Sequence, residues 1–241
     1  MKKTLFLLVT ILFISHLSFS QNTNQRYIDL SIGAGGGFSP ALSYNYIWGL
    51  GKRQQTTKRK FKIGTGIRFT YFTAHHKDLI TAPAKLTSGE KGPQVLFKDN
   101  ILSNLDTLHI AKIGVGYINI PIHLQYSFSQ KLEIGFNIDA IGLSFGNKQS
   151  GTFYASDSRS LNKSTQTAKP TVFNALLVSD NDLGSLNSEL YGRYWVNDKI
   201  GIRAGLSFQF IEYTTDKKLT FENDRFRSKN LLPMIALSYK F

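Results

Sequence analysis

The chain has 241 residues and no cysteine, which excludes a disulfide framework, a thiolate metal site and a lipidated cysteine anchor. With 13% aromatic residues, 20 glycines and only 19% charged residues, the composition points to β structure. The formal net charge of +13 raises nucleic acid as a partner, but lysine and arginine fall mostly in loops and turns, not beside aromatics on one face, so no nucleic-acid partner is expected.

Residues 1–20 stand apart. Lys2 and Lys3 precede the apolar run TLFLLVTILFI, and Ser18 and Ser20 supply the small residues of a cleavage site before Gln21. The apolar run is short for a spanning helix, which needs about 20 residues. The reading is a cleaved export signal over 1–20 and one domain over 21–241. No later stretch is apolar enough to cross a membrane as a helix, so the exported chain is either soluble or a membrane barrel.

From Gln21 onward the recurring pattern is period-two alternation, in eight segments. Ile28, Leu30, Ile32 and Ala34 alternate with Asp29, Ser31 and Gly33. After GGGFSP, Leu42, Tyr44, Tyr46, Trp48 and Leu50 alternate with Ser43 and Asn45. The basic link GKRQQTTKRK leads to the third segment, where Phe61, Ile63, Ile67, Phe69 and Tyr71 oppose Lys62, Gly64, Gly66 and Arg68. A long polar stretch, about 75–108, precedes the fourth. There Ile113, Val115 and Tyr117 share one parity and Ile118 to Phe128 the other, which predicts a β-bulge near Tyr117–Ile118. SQK links to the fifth, where Leu132, Ile134, Phe136 and Ile138 oppose Glu133, Gly135, Asn137 and Asp139; its parity slips at Ala140–Ile141. A second polar stretch spans about 147–182. In the sixth, Leu186, Leu190, Tyr194 and Val196 oppose Asn187, Glu189 and Arg193. NDK leads to the seventh, Ile200 to Phe210 against Gly201, Arg203, Gly205, Ser207 and Gln209. A polar region over about 214–230 precedes the last, ending in Tyr239 and Phe241.

The long links fall at one end of this array and mostly short ones at the other, as in an outer-membrane barrel with short periplasmic turns and long extracellular loops. A soluble lipocalin-type barrel would turn the apolar face inward. Four features favour outward. Most segments match the roughly 9–11 residues a tilted strand needs to cross a bilayer. The polar face carries Asp29, Lys62, Arg68, Glu133, Asp139, Glu189, Arg193, Arg203 and Lys240, acids and bases able to pair inside a narrow barrel. Aromatics, including Trp48, Tyr126, Trp195, Tyr239 and Phe241, gather near the short-turn ends as an interfacial girdle. The export signal gives access to the compartment. The expected fold is therefore all-β: an eight-stranded antiparallel up-and-down transmembrane β-barrel with long extracellular loops.

YINIPIHLQYSF, through Tyr117, Ile120, Pro121, Leu124 and Tyr126, resembles a strand of the porin-like, PorT-like outer-membrane β-barrel family of Bacteroidetes-type bacteria. The terminal alternation resembles the C-terminal signature of bacterial outer-membrane barrels. That likeness implies that Tyr239 and Phe241 form the signal read by the barrel-assembly machinery.

Catalytic and metal constellations are weak. His75–His76 with Asp78 reads as an exposed loop pair, since a metal needs three or four converging ligands. GAGGG at 33–37 lacks the helix and Lys-Ser/Thr of a phosphate loop. Glu189 with Ser185 or Ser188, and Asp139 with His123, read as parts of an ionic interior, not of a hydrolase. The basic run Lys52, Arg53, Lys58, Arg59, Lys60 reads as a solvated turn at the periplasmic end, and the bases of DKKLTFENDRFRSK could meet lipopolysaccharide phosphates. The expectation is a monomer in outer-membrane lipid and lipopolysaccharide, with a blocked lumen, a structural or surface-interaction role, no cofactor, no metal and no enzymatic activity. The alternatives are a narrow transport or ligand-binding barrel and a loop-borne lipid-modifying enzyme.

Overall fold

A computed structural model describes residues 24–50, 60–89, 98–156, 162–177 and 179–241. The expected signal over 1–20 and most of the basic run, Lys52 to Arg59, lie outside these residues. Each alternating segment forms a strand: β1 (Gln25–Ala34), β2 (Phe38–Gly49), β3 (Phe61–Thr81), β4 (Thr107–Ser127), β5 (Leu132–Phe145), β9 (Leu186–Trp195), β10 (Ile200–Thr215) and β11 (Arg225–Lys240). Three further strands, β6 (Gln149–Tyr154), β7 (Ser164–Pro170) and β8 (Phe173–Ala175), lie in the stretch expected to be loop.

The eight long strands close a ring, each antiparallel to the next. β11 returns to β1 through rungs such as Ile28↔Tyr239 and Ile32↔Ile235, so neither strand is left with an open edge. The end carrying Gln25 and Phe241 is the lower end. Short connections over 128–131 and 196–199 lie there, and the long ones lie at the upper end.

The wall is inverted relative to a water-soluble domain. Leu30, Ile67, Leu124, Leu190, Leu237 and Ile235 point outward and exposed, and Asp29, Arg68, Asp139, Glu189 and Arg193 point inward and buried. A continuous apolar belt over a polar interior is the surface of a barrel solvated by lipid tails. No helix among the described residues is long and apolar enough to cross a membrane; the strands cross instead.

Above the belt the chain builds a second ring. β3 pairs with β4, β4 with β6, β6 with β7, β7 with β10, β10 with β11, and β11 back to β3 through Phe226↔Thr81 and Arg227↔Ile80. Six strands thus form a narrower barrel on top of the eight-stranded one. Parts of the regions expected as long loops belong to this extension: β3 runs to Thr81, β4 starts at Thr107 and β11 at Arg225.

The extension explains one misplaced irregularity. No bulge falls at Tyr117–Ile118, where Thr70↔Tyr117 and Phe69↔Ile118 are regular rungs. Ile113, Val115 and Tyr117 point inward because the interior itself turns apolar at that height. β3 and β4 do change phase together higher up, where His75, His76, Ala111 and Lys112 are all exposed and His76 adopts φ 48°. The slip expected at Ala140 is present: Ile120 pairs with Ile141 and Pro121 with Asp139, leaving Ala140 over. Pro121 has no N–H for the ladder, and the bulge sits beside it.

Candidate functional site

The barrel interior brings many ionisable side chains together, and it has two layers. In the lower layer, the inward positions of β1, β3, β5, β9 and β10 bring four acids and four bases into one chain of alternating charge. The Lys62 ammonium meets Glu133. The other carboxylate oxygen of Glu133 lies 3.6 Å from Arg193 Nη1. Arg193 Nη2 donates to Asp29 Oδ2 at 3.0 Å, and Arg203 Nη1 reaches the same oxygen at 3.4 Å. Arg203 Nη1 also meets Glu189 at 3.0 Å, and Arg68 Nη1 meets it at 3.2 Å. Arg68 ends the chain on Asp139 through Nη2 at 2.5 Å and Nε at 3.1 Å.

Amides add further hydrogen bonds. Asn137 donates to Glu189 at 2.8 Å and Asn119 to Asp139 at 2.7 Å, while the Asn187 backbone N–H donates to Asp139 at 2.9 Å. The sum of formal charges along the chain is zero, which is what a low-dielectric interior requires of buried ions. The ninth expected member, Lys240, sits apart at the lower rim, half-buried, its ammonium 4.1 Å from the Trp195 ring centroid. Trp195 itself was expected at the lipid interface. It is buried, with Arg193 on its ring, because its position on β9 has the inward parity of Arg193.

The upper layer is apolar. Phe72, Leu79, Leu108, Ile110, Ile113, Val115, Tyr117, Phe153, Ile211, Tyr213, Phe226 and Leu232 form the core of the six-stranded ring, all but inaccessible. A polar seam joins the layers: the Tyr117 hydroxyl donates to Gln209 Oε1 at 3.1 Å, and Gln209 Nε2 donates to Ser39 at 2.8 Å. At the gap where β5 and β9 part, β8 fills the wall, and Asn174 bonds Asn119 and Ser144 at 2.8 Å each.

The top is pinned by two more clusters that sequence patterning did not flag. Glu212, fully buried, takes Arg225 Nε at 2.8 Å and Arg227 Nη2 at 2.7 Å, and both arginines also reach the Asp182 carbonyl. Asp106 accepts the Thr220 hydroxyl and the Ser156 N–H, tying three upper connections together. Burial pushes the Asp182 carboxyl above its usual range, while the Leu177 N–H bonded to it pulls the other way.

The considered catalytic pairs do not assemble. The Ser185 hydroxyl faces the Glu212 N–H and that of Ser188 the Phe208 carbonyl, and neither ring nitrogen of His123 has a partner among the described residues. On the outer wall His109 Nδ1 lies 2.7 Å from Asp78, with the His76 ring stacked 5.9 Å away. No group of three metal-ligating side chains converges among the described residues.

No family model and no curated protein matches the sequence. Among solved structures the chain is similar to Neisserial surface protein A, at 12% identity over 90% of this chain and 96% of that one, TM-score 0.34. It is similar to a major outer membrane protein from Thermus thermophilus, at 11% identity over 91% and 100%, TM-score 0.39. It is also similar to the Yersinia pestis outer membrane protein Ail, at 10% identity over 90% and 99%, TM-score 0.36. Likeness of this degree leaves the fold to be argued from strand pairing and the inverted wall.

Proposed function

We propose that the chain is a sealed, monomeric outer-membrane barrel that acts from its upper surface, in a structural or surface-interaction role. The observation that carries this is the doubly filled interior: an ion-paired lower layer beneath an apolar six-stranded barrel. A transport barrel needs a continuous polar path, and the apolar layer lies across it. The closed ring without a free edge supports a monomer.

In this reading residues 1–20 direct export and are removed. The lower end faces the periplasm. Phe241 sits there as the final wall residue, its N–H donating to the Arg26 carbonyl at 3.0 Å and its ring 5.5 Å from that of Tyr239. Both rings are exposed, so both are accessible to an assembly partner. The Tyr117–Tyr126 motif supports placement beside the porin-like, PorT-like barrels, with Pro121 at the one place where β4 and β5 lose register.

Cell fractionation with gel mobility of unheated and boiled samples tests the proposal. Recovery with outer-membrane lipid and a heat-dependent shift are expected. Recovery in the soluble fraction without a shift overturns it.

A further inference from the structure

The outer wall carries a cationic cluster where the apolar belt ends on β3, β4 and β7. Ala74 and Ile113 point into the core, so their neighbours His75 and Lys112, a direct cross-strand pair, point outward. They are the first titratable side chains above the belt on β3 and β4. On the adjoining sheet Gln149 pairs with Ala168, so Lys148 and Lys169 flank that rung at the facing ends of β6 and β7. The two surfaces meet through small residues: a Cβ on Gly146 would lie 2.6 Å from the Gly114 carbonyl oxygen and 2.9 Å from Pro170.

Only Lys148 is neutralised, by Asp216 at 2.9 Å. The other nearby carboxylate, Asp78, is held by His109. Lys112 and Lys169 are exposed and have no carboxylate partner among the described residues. On β11, Lys229 is paired with Asp180 at 2.7 Å. Lys112 and Lys169 therefore leave unneutralised positive charge on the β4–β7 side.

Directly below the lysines is an aromatic shelf. Phe69 and Phe145 stack at 6.2 Å and 11°, the Phe145 ring lies over Gly116, and the Tyr71 hydroxyl stands over Gly114. Cations above rings at an apolar boundary suit an amphiphile whose anionic head sits at that height and whose chains run down the wall.

We propose that Lys112 and Lys169, with His75 beside them, form a docking site for the phosphorylated head of an outer-leaflet lipid. The inference rests on the membrane reading above, because it needs this collar at the outer interface. The test reconstitutes full-length protein in phosphatidylcholine nanodiscs and titrates lipid A and its dephosphorylated counterpart, with bound lipid counted by native mass spectrometry. Wild type is expected to retain lipid A and not the dephosphorylated form, and Lys112→Gln with Lys169→Gln to weaken retention by about 30-fold at low salt. Lys112→Arg with Lys169→Arg should keep it, and Lys131→Gln with Lys199→Gln, exposed in the short lower turns, should leave it unchanged. Inorganic phosphate in solution should not compete. Equal retention by the glutamine variant, or equal retention of both lipids, overturns the site while leaving the barrel intact. Failure of wild type to enter nanodiscs overturns both readings.

Discussion

Arg68→Met is the sharpest perturbation of the ionic layer. Arg68 is the only cation within ion-pairing distance of Asp139 among the described residues, so the substitution leaves that fully buried carboxylate with amide donors alone. Glu189 is less affected, because Arg203 at 3.0 Å and Asn137 at 2.8 Å remain. The cost is thus that of one uncompensated buried charge, about 3–5 kcal/mol. Arg68→Met with Asp139→Asn removes the orphan charge and should recover most of that loss. Lys62→Met, at the other end of the chain, leaves Glu133 beside Arg193 at 3.6 Å and should cost less than Arg68→Met. Urea unfolding of protein refolded into vesicles, followed by the folded band on unboiled gels, measures all three. Arg68→Met within about 1 kcal/mol of wild type, or the double variant no better than Arg68→Met alone, would refute the ion-chain account.

Phe72→Ala, in the core of the upper ring, should cost about 3–5 kcal/mol in the same assay and raise hydrogen exchange in β3 and β4 above the belt. Deleting Phe241, or Phe241→Asp, should lower outer-membrane levels more than an equal change near residue 150; unchanged levels of the deletion count against its role in assembly. Because burial raises the Asp182 carboxyl, the folded loop favours the protonated form, and its stabilising contribution is lost as pH rises through the carboxylate range. Protection of the Leu176, Leu177 and Leu183 amides, corrected for intrinsic exchange, should fall over that rise, and Asp182→Asn, which keeps an acceptor for Leu177, should flatten it.

The eight-strand ring was legible because period-two alternation is long and its outward residues are consistent from Ile28 to Phe241. The inward ionic residues were legible for the same reason: a charge in mid-strand has only the lumen to enter. What alternation could not separate is an apolar residue facing lipid from one facing a dry core. Ile113, Val115 and Tyr117 read as lipid-facing after a bulge, and Leu186 as lipid-facing outright, although all four are buried. A signal was present in FTYFTA: Phe69 and Tyr71 take one parity, Phe72 and Ala74 the other. Apolar residues on both faces mark a strand with apolar surroundings on both sides, here lipid or its interface outside and the upper core within. The second ring was hidden because β6 and β7 are short and rich in Ser and Thr, so their strand character comes from pairing with β4 and β10. The pairing of Glu212 with Arg225 and Arg227 joins β10 to β11 at rungs the polar composition of 214–230 concealed.

Planar-bilayer recording of the purified, folded protein tests the sealed lumen most directly. Wild type, with the ionic chain and the upper core both in place, is expected to leave the bilayer silent at moderate voltage. Steady unitary currents that recur across preparations and disappear on unfolding would contradict a sealed lumen.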